Sequence, residues 1–164
     1  MATVIRQQQK VGNDGLVSCV RWCLLPADES VDSLAARLAE ARNVVVLTGA
    51  GDNFCAGQDL KQYSLEMESQ PEQVRDQVRE KVRRWRNEML RTLPQPVIAR
   101  ITGWCLGGAL TVVAGCDIAL AAEDALFGLP EVNFGHFPAG DTTSVMTEHL
   151  KPKHGLYYAL TGKM

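Results

Sequence analysis

The fold is decided by residues 44–60, which read VVVLTGAGDNFCAGQDL. Residues 44–48 form an unbroken apolar and β-branched run, which is typical of a strand buried on both faces in a parallel sheet. Two glycines and an aspartate follow this run, and residues of these types predict a tight turn. We therefore interpret residues 44–52 as a core strand that ends in a glycine turn.

The same pattern of a strand followed by glycines recurs downstream. Residues 96–108 read PVIARITGWCLGG, which predicts a strand over 96–101 and a glycine-rich bend over 103–108. A short apolar helix is expected over 109–114, and a further buried strand over 117–122. Alternating buried strands and helices are typical of an α/β fold.

Three other segments complete the predicted elements. The turn at residues 12–15 predicts a hairpin over residues 3–23. An apolar stripe bounded by prolines predicts a long helix over 71–93, and a shorter helix is expected from about residue 30 to residue 41. No linker or repeat divides the sequence, so we expect one domain over residues 1–164.

The composition argues against several classes of function. The 164 residues include 17 Lys and Arg and 19 Asp and Glu, a formal charge of −2, which disfavours binding to nucleic acid or an anionic membrane. No apolar run approaches the roughly 20 residues that a membrane-spanning helix needs. The five cysteines form no CxxC pair, so we expect reduced thiols, no metal site and a cytoplasmic or organellar-matrix location.

Two glycine turns are candidates for binding negative charge, at residues 56–59 and 103–108. Each turn follows a core strand and directs backbone N–H groups towards a shared crevice. The second also begins a helix, whose N-terminus favours negative charge. Two converging N–H donors make an oxyanion hole for acyl or enolate chemistry. Glycine turns after strands are, however, more often simple packing devices.

A carboxylate stands in apolar surroundings at residues 127–131, which read FGLPE. Burial among apolar groups raises the pKa of a carboxyl group, so Glu131 is a candidate general acid or base. The competing interpretation is an exposed turn residue or a helix cap. Cys105 has no His or Asp partner close to it in the sequence, so a nucleophilic role is not expected.

Four stretches together resemble the enoyl-CoA hydratase/isomerase (crotonase) superfamily, at residues 44–60, 96–108, 116–119 and 127–131. They occur in the order and at the spacing of the family, and the similarity covers residues 44–163. The resemblance implies an α/β fold of the ClpP/crotonase type, a spiral of ββα units, without the usual C-terminal helical region. It also implies a coenzyme A thioester as the substrate.

The resemblance assigns roles to individual residues. It implies that the two oxyanion donors are the backbone N–H groups of Gln58 and Gly108, and that Glu131 is the catalytic carboxylate. Substrate contacts are expected from Ala56, Asp59, Tyr63, Gly107, Thr111 and Pro138.

Position 111 separates this chain from the hydratases of the family. Those enzymes use a glutamate at this position in addition to the one that corresponds to Glu131, whereas this chain has Thr111. A threonine hydroxyl does not transfer protons as a carboxylate does at neutral pH, although it can position a water molecule. A single-carboxylate mechanism is therefore expected.

Further stretches resemble one subfamily, the hydroxycinnamoyl-CoA hydratase-lyases, at residues 59–63, 127–135 and 156–163. In that subfamily a small hydroxyl residue stands at position 111, and a tyrosine at the position of Tyr63 contacts the phenol of the substrate. The resemblance implies hydration of a hydroxycinnamoyl-CoA, followed by retro-aldol cleavage to an aromatic aldehyde and acetyl-CoA.

Two other functions stay open. One is a single-glutamate enoyl-CoA isomerase, or a hydratase of another acyl-CoA. The other is a catalytically silent partner protein, which is favoured by Thr111 and by residues 24–28, where the usual N-terminal signatures of the family are missing. The resemblance implies no cofactor beyond the coenzyme A of the substrate. It also implies a homotrimer or hexamer with no nucleic-acid or membrane partner.

Overall fold

The N-terminal hairpin is confirmed. A computed structural model describes residues 5–11, 15–22, 44–58 and 68–164. In it β1 (Ile5–Val11) and β2 (Gly15–Trp22) pair antiparallel, with Val11 opposite Gly15. The helix that we predicted to end at about residue 41 lies outside the described residues.

The main sheet has five strands in the order β1-β2-β3-β4-β6. The strand β3 (Val44–Gly49) pairs in parallel with both β2 and β4 (Val97–Ile101). The predicted parallel core strand is therefore confirmed, with Val45 and Leu47 fully buried. A buried aliphatic side chain of this size contributes roughly 1.5–3 kcal/mol to stability, which makes this strand a main source of core packing.

The strand β6 (Ile118–Ala121) pairs in parallel with β4 and forms an edge of the main sheet. The prediction of a buried strand here was wrong, because all four residues are exposed. Ile118 is 49% exposed and Leu120 is 59% exposed. An edge strand has a neighbour on only one side, so its side chains receive less cover than those of β3 or β4.

The predicted long helix is present but is interrupted near its C-terminal end. The helix α1 (Glu72–Arg84) continues into a π-helical turn (Trp85–Met89) and then into α2 (Leu90–Thr92). Trp85 is 1% exposed and Leu90 is 2% exposed, and both belong to the core cluster. A π-turn inserts an extra residue and so changes which face of a helix meets the core, an effect that simple 3.6-residue periodicity does not predict.

A second, smaller sheet lies beside the first. It pairs β5 (Trp104–Leu106) in parallel with β7 (Leu126–Gly128), and Cys55 forms a parallel bridge with Cys105. The sequence predicted only a glycine-rich bend over residues 103–108. Three residues are too few for a strand pattern in the sequence, and here the extended conformation is stabilised by backbone hydrogen bonds on both sides.

Helical segments follow the strands of the small sheet. They are α3 (Ala109–Ala114), a 3₁₀ helix (Pro130–Phe134), α4 (Thr142–His149) and α5 (Pro152–Thr161). The chain thus passes repeatedly from the main sheet to an extended segment of the small sheet and then to a helix. None of the described helices combines the length and the apolar character that crossing a membrane requires.

Candidate active site

Three loops leave the small sheet at the same end. They follow Cys55, β5 and β7, which lie side by side in parallel, so their carboxyl ends share one edge. Leu106 N–H donates to Cys55 O at 3.0 Å, and Gly107 N–H donates to Gly128 O at 2.9 Å. These hydrogen bonds bring the loop that carries Gln58, the Gly107–Gly108 turn and the segment that leads to Glu131 next to one another.

The first loop packs directly on the second at Gly57. This residue has φ of +101°, a conformation that side chains disfavour, and a Cβ here would lie 3.1 Å from the Leu106 carbonyl oxygen. Gln58 follows and is half-buried. Only glycine allows the backbone before Gln58 to approach the Leu106–Gly107 peptide this closely.

The second loop is the Gly107–Gly108 turn. Gly107 has φ of +57°, in the left-handed region, and Gly108 is the N-cap of α3 with φ of −58°. Within the described part of the chain, the Gly108 N–H donates no hydrogen bond to another residue. The helix α3 has only six residues, so the N–H group itself, rather than a long helix dipole, is the main feature that attracts an anion here.

The Glu131 carboxylate lies against this turn. A Cβ on Gly107 would be 2.6 Å from Glu131 Oε1 and 3.9 Å from Oε2, so any side chain at this position would displace the carboxylate. Glu131 is half-buried and is the second residue of the 3₁₀ helix, after Pro130. Its carbonyl accepts the His136 N–H at 3.0 Å, which anchors the backbone from which the carboxylate extends.

Thr111 lies on the other side of the turn. Its side chain is buried, and the hydroxyl donates to the Gly108 carbonyl at 2.6 Å. That hydrogen bond holds the peptide that follows the Gly108 N–H. Thr111 therefore adjoins the candidate site through Gly108 and presents almost no surface of its own.

The remaining predicted site residues fall into two groups. Ala56 is exposed beside Gly57, whereas Pro138 is buried and its carbonyl accepts the Thr143 hydroxyl at 2.9 Å. Asp59 and Tyr63 lie outside the described residues. The substrate contacts expected of these four residues stay predictions.

Sequence reasoning missed one positioning residue, Asn53. Its side-chain oxygen accepts the Trp104 N–H at 2.9 Å, and a Cβ on Gly103 would overlap that same oxygen. This contact joins the loop after β3 to the start of β5. An asparagine directly after a Gly-Asp turn is a local signal for such side-chain to backbone bonding.

The thiol beside the site is inert. Cys105 is fully buried, and burial, together with the nearby Cys55, raises the pKa of its thiol above the usual range. A thiol that stays protonated is a poor nucleophile. The site thus combines main-chain N–H groups with one carboxylate, a set that can stabilise a developing oxyanion and move a proton beside it.

The chain is similar to known proteins along most of its length. The enoyl-CoA hydratase/isomerase family model matches residues 26–164. A hydroxycinnamoyl-CoA hydratase-lyase from Pseudomonas fluorescens is 39% identical over 123 residues, which are 75% of this chain and 45% of the relative. A peroxisomal Δ(3,5)-Δ(2,4)-dienoyl-CoA isomerase from Arabidopsis thaliana is 36% identical over 98 residues, which are 56% of this chain and 35% of the relative.

The fold is also similar to solved structures. An enoyl-CoA hydratase from Bacillus anthracis superposes with a TM-score of 0.74 at 28% identity, covering 99% of this chain and 63% of that one. The expected crotonase-type spiral is therefore confirmed. The chain spans about half the length or less of the curated relatives that it matches.

Proposed function

Because the chain belongs to the enoyl-CoA hydratase/isomerase family, we propose that it acts on an acyl-CoA thioester by stabilising the enolate of that thioester. The observation that carries this proposal is the packing of the Glu131 carboxylate against Gly107, one residue before the Gly108 N–H. A carboxylate beside an oxyanion donor can move a proton while the donor stabilises the negative charge that develops on the thioester oxygen.

The thioester carbonyl oxygen accepts hydrogen bonds from the backbone N–H groups of Gln58 and Gly108. These donors are part of the fold and need no rearrangement when negative charge develops on that oxygen. Each such donor typically accelerates the reaction by about 10²–10³-fold. The Gly57 approach to the Leu106 carbonyl and the Thr111 bond to Gly108 hold the two peptides in place.

We propose a hydroxycinnamoyl-CoA as the substrate. As water adds to the β-carbon, Glu131 accepts a proton from it, and the electron pair of the double bond moves onto the thioester oxygen. Glu131 then returns the proton to the α-carbon. In the second stage the β-hydroxyl gives its proton to Glu131, and the bond between the α- and β-carbons breaks. An aromatic aldehyde leaves, and the acetyl-CoA enolate takes the proton back.

Two observations support cleavage rather than two-glutamate hydration. Thr111 replaces the second glutamate, and its hydroxyl is already bonded to Gly108, which leaves Glu131 as the carboxylate beside the turn. The relative from Pseudomonas fluorescens carries the name of a hydratase-lyase. We assign contact with the phenol to Tyr63 and further substrate contacts to Ala56, Asp59 and Pro138.

The assembly, cofactor and location are also proposals. We expect no cofactor beyond the coenzyme A that the substrate carries, a cytoplasmic location, and a homotrimer or hexamer. Ile118 and Leu120 on the exposed edge strand offer apolar surface for association. Light scattering on the purified chain measures the number of subunits, and a monomer at all concentrations would contradict the proposed assembly.

A second candidate is an enoyl-CoA isomerase that uses Glu131 alone. It is favoured by the single carboxylate and by the similarity to the dienoyl-CoA isomerase. In that reaction Glu131 removes a proton from one carbon of the acyl chain and returns it to another, through the same enolate. No bond between carbons breaks, so neither aldehyde nor acetyl-CoA forms.

Product analysis tests these proposals. The purified chain is incubated with a hydroxycinnamoyl-CoA, a 3-enoyl-CoA and a saturated acyl-CoA, and the products are separated by liquid chromatography. Aldehyde and acetyl-CoA in equal amounts from the first thioester are expected. A shifted double bond in the second, with no aldehyde from the first, supports the isomerase. If every thioester is unchanged but binds, the silent partner protein is the better description.

A further inference from the structure

We propose that the carboxyl ends of β3 and β4 form a second anion site, one that takes a phosphate-type oxyanion and uses none of the residues around Glu131. A polar cavity of about 450 Å³ lies there. It is lined by Thr48, residues 49–52, Arg100 and Thr102. The cavity therefore lies just outside the carboxyl ends of two parallel strands of the main sheet.

Arg100 supplies the positive charge. Its side chain is exposed at the cavity, and it makes no ion pair or hydrogen bond with any of the described residues. Two arginines of α1 are instead paired with carboxylates, Arg83 with Glu80 at 2.7 Å and Arg79 with Asp76 at 3.0 Å. A guanidinium without a carboxylate partner is available to bind a phosphate through two parallel N–H groups.

Thr48 stands directly beside Arg100 in the sheet. The two residues are paired across β3 and β4, and residues paired in this way project to the same face. Thr48 is only 4% exposed, and its hydroxyl has no hydrogen-bond partner among the described residues.

The loop after β3 adds main-chain donors. A Cβ on Gly49 would overlap the Asn53 carbonyl oxygen, so the chain folds back tightly over residues 49–53. The N–H groups of Ala50, Gly51 and Asp52 donate to none of the described residues. Successive free N–H groups in a turn form a concave site for an anion. A hydroxyl, a guanidinium and main-chain amides are the donor types that phosphate sites use.

The Asp52 carboxylate also lines the cavity and opposes an anion. Its charge is expected to hold the affinity to about the millimolar range. Asp52→Asn removes this repulsion, so the variant should bind phosphate more tightly. A cavity that instead bound cations would respond to the same change in the opposite direction.

Titration of the ¹⁵N-labelled chain with inorganic phosphate, followed by amide NMR, tests the site. The expected result is saturable shifts of the Gly49, Gly51 and Asp52 amides at about millimolar phosphate. Arg100→Gln should weaken binding by about tenfold, and Thr48→Val should weaken it less. Arg91→Gln is the matched control, since it removes an exposed guanidinium 4.0 Å from Glu148 and should change nothing.

Several outcomes would overturn the proposal. They are shifts that fail to saturate, shifts confined to other residues, an Arg100→Gln affinity equal to that of the Arg91→Gln control, or weaker binding after Asp52→Asn. The titration needs no turnover, so a failure of the proposed acyl-CoA reaction leaves its result unaffected.

The source of the phosphate is settled by two further titrations. One uses coenzyme A and the other uses pantetheine, which lacks the phosphates. Competition of coenzyme A, but not of pantetheine, with inorganic phosphate identifies the site as a subsite for the thioester carrier. Phosphate binding without competition from coenzyme A identifies a free phosphate or a separate phosphorylated ligand.

Discussion

Thr111 and Glu131 both border the Gly107–Gly108 turn, and they use their side-chain oxygens in opposite ways. The Thr111 hydroxyl is buried and bonded to the Gly108 carbonyl at 2.6 Å. The Glu131 carboxylate packs on the Gly107 side of the turn, in a residue that is only half-buried as a whole. One oxygen therefore supports the backbone, and the other is placed to exchange a proton with a bound molecule.

This difference shows how a site with one carboxylate can keep the backbone geometry of a site with two. A glutamate at position 111 would bring a second negative charge close to Glu131, and like charges at short range raise one pKa strongly. Threonine avoids that coupling and satisfies a carbonyl at the same time. In the proposed mechanism, proton transfer is then assigned to Glu131 and charge stabilisation to the two backbone donors.

The largest expected effect comes from replacing the Glu131 carboxylate. Glu131→Gln keeps the shape of the side chain but removes its ability to accept a proton, so kcat should fall by about 10²–10⁴-fold. Affinity for the thioester should stay nearly unchanged. Steady-state kinetics together with calorimetric binding measure both quantities.

The control for this variant is Glu123→Gln, which changes an exposed carboxylate on the loop after β6. Its kinetics should match those of the wild-type chain. Equal activity of Glu131→Gln and Glu123→Gln would rule out a proton-transfer role for Glu131.

The next largest effect is expected from the backbone donor between the two side chains. Gly108 has φ of −58°, which proline also adopts, so Gly108→Pro removes the N–H without changing this dihedral angle. Loss of one oxyanion donor should lower kcat by about 10²–10³-fold. Gly108→Ala adds a Cβ but keeps the N–H, so the ratio between the two variants isolates the donor. A ratio near one would remove Gly108 from the oxyanion hole.

A smaller effect is expected from the supporting side chain. Thr111→Val removes the bond to Gly108 and should lower the free energy of unfolding by about 1 kcal/mol. Its effect on kcat should stay below about tenfold, because Glu131 and the Gly108 N–H are retained. Thr111→Ser keeps the hydroxyl and should recover both values. Urea denaturation and kinetics provide the measurements, and a loss in Thr111→Val as large as in Glu131→Gln would contradict a supporting role.

The smallest effect is expected from modification of the neighbouring thiols. Burial raises the pKa of Cys105 above its usual range and that of Cys116 to about 12, so both thiols stay protonated until the pH is strongly alkaline. Iodoacetamide at about pH 8 should therefore leave turnover unchanged in the folded chain and label both cysteines in urea. Mass spectrometry of the two samples reports the labelling. Inactivation that tracks labelling of Cys105 would assign it a role in the reaction.

Much of the main sheet could be predicted from the sequence, and the small sheet could not. The β3 segment has five apolar or β-branched residues in a row, a pattern long enough to be unambiguous. The strands β5 and β7 have three residues each and exist because neighbouring segments supply hydrogen bonds. Exposure of β6 was also beyond prediction, since a sequence does not state which strand ends a sheet.

For the candidate site, the resemblance to the family implied which residues would meet but not how they are held. Gly107, Gly108 and Glu131 were expected together, and the packing of the carboxylate on Gly107 agrees with that expectation. The bond from Thr111 to Gly108 and the tether from Asn53 to Trp104 were not predicted. The first is a local contact of a helical threonine hydroxyl with a carbonyl three residues earlier. The second joins residues 51 apart, and local sequence does not specify a partner at that distance.

The bridge between Cys55 and Cys105, continued by the pairing of β5 with β7, has a consequence for how this molecule can change over evolutionary time. Adjacent strands are held about 4.8 Å apart by peptide groups, whatever side chains they carry. The distance between the loops that follow these strands is therefore set by backbone hydrogen bonds and not by side chains. Side chains around the candidate site can therefore change by mutation while the spacing of its backbone groups is retained.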